Sequence, residues 1–110
     1  MNTDDLKARI RAGNFVDNNG RVLRTINILR TGYNKLKSIK YALEEISESE
    51  FLDSVNYLHE EGYIHLRNCV TKDPAVTGLA DTDYKDLEGK LTGKGIKLLA
   101  GGIDDSLIKS

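Results

Sequence analysis

A chain of 110 residues is long enough for one domain with one hydrophobic core, and too short for two. Hydrophobic residues make up 39% and charged residues 30%, the composition of a globular protein of helical bias. No apolar run reaches the length of a bilayer, so no membrane partner is expected. The net charge of −1 hides a segregation that excludes a surface gripping nucleic acid all over: residues 1–43 hold nine Lys/Arg against three Asp/Glu, residues 44–63 hold seven carboxylates and no base, and residues 64–110 hold seven of each.

The start, "MNTDDLKARIRAGNF", puts acids before bases and has no apolar stretch of signal-peptide type. A lone cysteine, Cys69, excludes an internal disulfide. Together these features lead to the expectation of a cytoplasmic protein.

In "TDDLKARI", Thr3 is a good helix cap, two acids follow it, and Leu6 and Ile10 share a face; Gly13 is expected to end this short helix. "VDNNGR" carries turn chemistry. "RVLRTINILRTG" then spaces Val22, Leu23, Ile26 and Leu29 as a helix, with Gly32 as the stop and Arg21, Arg24 and Arg30 on the polar side. After an extended piece at Tyr33 to Lys35, "KSIKYALEEI" predicts a helix capped by Ser38, with Ile39, Ala42, Leu43 and Ile46 inward. Ser47 with Glu50 three residues on has capping-box form and opens a third helix. Its buried stripe is Phe51, Leu52, Val55 and Leu58, and Gly62 stops it.

The period then changes to two. "YIHLRNCV" points Ile64, Leu66 and Val70 one way and His65, Arg67 and Cys69 the other. "YKDLEGKLT" points Leu87 and Leu91 inward and Asp86, Glu88 and Lys90 outward. The connection "TKDPAVTGLADTD" is long for a hairpin and is expected to be mobile. Thr92 caps a short helix, "GKGIKLLAGG", predicted to bury Ile96 and Leu99, and the tail "IDDSLIKS" keeps Ile103, Leu107 and Ile108 apolar.

Two stretches carry a family resemblance. "LDSVNYLHEEGYIHL" resembles the third helix and first wing strand of winged helix-turn-helix regulators, and "KLTGKGIKLL" is similar to their second wing strand running into a closing helix. The likeness covers roughly residues 20 to 101. "KLLAGGIDD" also resembles the ending of short winged-helix proteins of Mu-like prophages. The expected fold is α+β and mostly α: a three-helix core, a two-stranded β wing and short terminal helices. Residues 1–19 would form a short helix and turn, residues 20–101 the winged-helix domain, and residues 102–110 a tail.

The resemblance implies a small DNA-binding protein, a transcriptional regulator or a phage accessory protein. Its third helix would face bases with Ser49, Asn56 and Tyr57, while Arg21, Arg24, Arg30, Lys35, Lys37, Arg67 and Lys90 would hold phosphate. The same helix also bears Glu48, Glu50, Asp53 and Glu60, which repel phosphate and suit a basic protein surface instead. The second expectation is therefore a non-catalytic interaction module whose acidic helix meets a basic partner.

No other constellation carries chemistry. His59, His65 and Cys69 lack a fourth ligand for a closed zinc site, and "TGKG" lacks phosphate-loop spacing and is explained by a helix cap. No catalytic triad has context, so no enzyme and no cofactor are expected. The apolar residues at both chain ends suggest self-association as a homodimer.

Overall fold

The computed structural model describes residues 3–109. Four helices surround a three-stranded antiparallel sheet. In chain order they are α1 (Thr3–Ile26), β1 (Asn34–Lys35), α2 (Leu36–Ala42), α3 (Glu48–Glu60), β2 (Ile64–Asn68), β3 (Leu87–Leu91) and α4 (Gly93–Leu99). The sheet order is β1-β3-β2. Ile64 pairs with Leu91 and Asn68 with Leu87 on one side of β3, and Asn34 pairs with Gly89 on the other.

The first helix differs most from expectation. It does not end at Gly13 but runs unbroken through "VDNNGR", across the boundary expected at residues 19 and 20. Asn18, Asn19 and Gly20 there are buried, and each meets a distant segment. Asn19 Nδ2 donates to the Leu107 carbonyl at 2.8 Å, and Asn18 Nδ2 donates to Glu50 Oε2 at 3.3 Å. Gly20 lies against the backbone of Lys109. Tertiary contact overrides local turn propensity: both amide nitrogens donate to distant acceptors, although Asn19 Oδ1 is buried without a hydrogen-bond partner among the described residues.

The core is built from Val22, Leu23 and Ile26 of α1, Leu36 and Ile39 of α2, Phe51, Val55 and Leu58 of α3, and Leu66, Leu87 and Leu91 of the sheet. Phe51 meets Tyr84 edge-on, with ring centroids 5.6 Å apart. Leu43 and Ile46 are buried as expected, but beyond the end of α2. Ala42 is exposed, and Ser38 lies inside α2, whose cap is Lys35. Leu29 is exposed because α1 gives way to a 3-10 turn, Asn27–Leu29, that rotates it off the helical face. In α4 the buried residues are Gly95 and Leu98, while Ile96 is exposed and Leu99 half-buried.

Three local signals hold. Ser47 and Glu50 form the reciprocal capping box of α3, Gly62 leaves α3 at φ +77°, and Thr92 Oγ1 accepts from Gly95 N at 3.1 Å. The expected mobile connection is packed instead. It carries 3-10 turns at Gly78–Ala80 and Tyr84–Asp86, Gly78 presses on His59, and Cys69 N donates to the Asp86 carbonyl at 2.9 Å. Val70, expected inside, is exposed where the chain leaves β2. The tail folds back on α1: Ile108 is buried, Lys109 N donates to the Val16 carbonyl, and Asp105 accepts from Tyr57 and Tyr63.

Candidate nucleic-acid interface

Helix α3 lies between two covering elements. On one side α1 and the tail meet Tyr57, whose ring packs edge-on to Phe15 at 5.4 Å and whose hydroxyl donates to Asp105 Oδ2 at 2.7 Å. On the other, the connection covers His59 and half-buries Leu52. What remains in solvent is a stripe of Ser49, Asp53, Asn56 and Glu60, with Glu48 at the helix start. Ser54 is fully buried.

Of the three base-facing candidates, Tyr57 is therefore committed to the tail. Burial, then the bond to Asp105, raises its pKa, so it stays protonated. Ser49 lies 3.4 Å from the Ser47 hydroxyl, and Asn56 alone is exposed with no side-chain partner among the described residues.

The acidic residues divide as well. Glu50 turns inward to the capping box, and the Ser47 hydroxyl and N–H hold its carboxyl below the usual range. Glu48 faces Asp81 and Asp83 across an open hollow of about 370 Å³. Asp53 and Glu60 point to solvent.

The phosphate candidates divide more sharply. Arg21 pairs with Glu45, and Arg24 Nη1 donates to the Lys109 carbonyl at 2.8 Å. Arg67, expected outward from the wing, donates from Nε to Glu88 Oε1 at 2.6 Å and lies 3.6 Å over the Tyr33 ring. Glu88 was expected to be exposed but is buried, because β3 is the central strand. Burial would raise its pKa, yet hydrogen bonds from Lys72 and Arg67 outweigh that and hold it low. Lys90 Nζ lies 5.9 Å from the same Tyr33 ring. Arg30 remains exposed beside a hollow with Asn27, Ile96 and Leu99.

Lys35 and Lys37 are brought together with others into one site. They line an open cleft of about 630 Å³ with Ser38, Lys40, Tyr41, Glu44, Tyr84 and Lys85. The outer face of α2 forms one wall and the Tyr84–Asp86 turn the other. Lys35, Lys37 and Lys40 have no carboxylate partner among the described residues, and Glu44 is the one acid lining the cleft. Tyr41 is 84% exposed at its edge. Sequence reasoning had Lys35 and Lys37 among the phosphate candidates but not Tyr41 or Tyr84. The spacing of residues 37, 40, 41 and 44 is that of one helical face and would have grouped Tyr41 with the lysines.

His65 is exposed, Cys69 is half-buried, and no cluster among the described residues could hold a metal ion. No described helix is long and apolar enough to cross a membrane. The chain matches no protein-family model, no curated protein and no solved structure.

Proposed function

We propose that this chain is a winged helix-turn-helix domain that binds DNA, as a small transcriptional regulator or phage accessory protein, and that phosphate contacts dominate its affinity. The order α1-β1-α2-α3-β2-β3 and the central place of β3 support the winged-helix assignment. One observation carries the binding reading: Lys35, Lys37, Lys40 and Lys85 converge on an open cleft with a single opposing acid. Cations without internal partners are free to displace counterions from a phosphate backbone. The expected contact is thus the α2 side of the helix-turn-helix, with α3 outside the groove. No catalysis is proposed, and two copies are proposed to pair through the projecting start of α1.

The test is duplex binding by fluorescence anisotropy over a salt series. The expected result is a log–log slope of about −0.9 for each phosphate neutralised. Absence of binding to both duplex and single strand at low salt would sink the reading.

A second reading, an interaction module for a basic protein partner, is favoured by Glu48, Asp81 and Asp83 around one hollow and by Asp53 and Glu60 beside it in the solvent stripe. It predicts loss of partner capture when these acids are neutralised, with DNA binding not reduced.

A further inference from the structure

We infer that the lysine cleft between α2 and the Tyr84–Asp86 turn takes single-stranded nucleic acid, with Tyr41 stacking on an unpaired base. The inference rests on the DNA-binding reading and names the strand state that this site recognises.

Two features of the cleft act together. Four lysines surround a volume of about 630 Å³, and the acid among its lining residues, Glu44, lies one turn beyond Lys40 and Tyr41. That arrangement can track a phosphodiester backbone. Tyr41 adds what a duplex cannot use. It is 84% exposed, has no ring or hydrogen-bond partner among the described residues, and sits on the same α2 face as Lys37 and Lys40. An aromatic ring left in water at the rim of a basic cleft gains by covering its face, and the faces of paired bases are already stacked within the helix. An unpaired base beside a bound phosphate has its face available. Tyr84, buried against Phe51, fixes the cleft floor, and Lys85 reaches over its ring at 6.0 Å.

The competing surface supports this choice. The exposed stripe of α3 carries Asp53 and Glu60 and no base, so a duplex seated with α3 in its major groove meets carboxylates. A single strand following the α2 cleft does not need that approach.

The experiment measures anisotropy of a labelled single strand of about 20 nucleotides and of its duplex, with the full chain and two variants, Tyr41→Ala and the double variant Lys37→Gln/Lys40→Gln. Tyr41 and Lys37 are exposed and Lys40 is half-buried, and circular dichroism checks that each variant folds. The single strand is expected to bind more tightly than the duplex. Tyr41→Ala should weaken single-strand binding about tenfold and leave the duplex unchanged. The double variant should reduce the single-strand salt slope by about 1.4, at about 0.7 per contact. Equal affinity for both forms, or a Tyr41→Ala variant that binds the single strand as tightly as the parent, would overturn the inference. Duplex binding that depends on the lysines but not on Tyr41 would overturn it while leaving the DNA-binding reading standing. No binding of either form at low salt would remove both.

Discussion

Asp105 ties three parts of the chain together through one carboxylate. Its Oδ2 accepts from Tyr57 of α3 and from Tyr63 just beyond it, at 2.7 and 2.8 Å, and its Oδ1 accepts from Leu107 N at 2.9 Å. Burial alone would raise its pKa; the Leu107 N–H and the two tyrosine hydroxyls more than offset that and hold it below its ordinary 3.8. A depressed carboxylate stabilises the fold above that ordinary value and loses its contribution as pH falls through the lower, folded value. Tyr63 runs the other way. Burial, then the bond to Asp105, pushes its hydroxyl up from 10.0 to about 12, so its contribution is complete below pH 10 and is lost as pH rises toward 12. Stability to urea is therefore expected to be flat at neutral pH and to fall at both extremes. Asp105→Asn should lower the neutral plateau by about 1–3 kcal/mol and make both flanks shallower, since hydrogen bonds to a charged acceptor are worth more than neutral ones. A variant whose profile overlays the parent's would show that these bonds contribute nothing to stability.

At the scale of elements, α1 and α3 mark what could and could not be read from the sequence. The start of α3 was legible because a capping box is local: Ser47 and Glu50 satisfy each other within one turn. The exits through Gly62 and Thr92 were legible for the same reason. The continuity of α1 was not, since Asn18, Asn19 and Gly20 have turn chemistry and their partners lie 32 or more residues away. Gly20 gives the difference a measurable sign. At an uncrowded helix position Gly→Ala stabilises by about 1 kcal/mol. Here the added Cβ meets the Lys109 carbonyl, so Gly20→Ala is expected to destabilise by about 1–2 kcal/mol and to release the tail, seen as faster hydrogen exchange at Lys109. The candidate site was legible only in part. Residue type marked the cations, but Arg21, Arg24 and Arg67 proved to be engaged by Glu45, the tail and Glu88, which sequence spacing does not reveal. For α3 the proposal again predicts a sign. If Asp53 and Glu60 only obstruct phosphate, Asp53→Asn with Glu60→Gln should tighten DNA binding about equally across sequences. A site-specific loss on Asp53→Asn would instead mean that the carboxylate reads a cytosine amino group.

At the scale of the whole molecule, one dimension stands out. The principal extents are 50 × 31 × 24 Å, and residues 3–14 of α1 are exposed throughout. This arm is the exposed first three turns or so of α1, with Arg11 near its base bordering Glu50 and Asp53 of α3, and a helix of that length is marginal in water without something to pack on. Leu6 and Ile10 lie one turn apart on it, 52% and 55% exposed, on the side of α1 opposite the buried residues Asn19, Leu23 and Ile26. The tail does not cover them, because its buried residue, Ile108, and its bonds to Asn19, Arg24 and Val16 lie farther along α1. A second copy can: two arms crossing antiparallel place Leu6 of one against Ile10 of the other, and the twofold repeats the contact. Sedimentation of the full chain is expected to show a dimer, and Leu6→Glu with Ile10→Glu a monomer whose core stays folded while the unpartnered arm loses helical content. A version lacking residues 1–13 is the cleaner control, since the arm makes little contact with the core, whereas removing the tail would also strip Ile108 and Asp105 from the body. If pairing holds, one dimer carries two lysine cleft sites, and a strand long enough to reach both gains affinity from effective concentration without a new contact. The double Glu variant should then bind a long strand more weakly and a short one as tightly as the parent. A full chain that stays monomeric at high concentration would refute the pairing and leave the arm without a partner of its own kind.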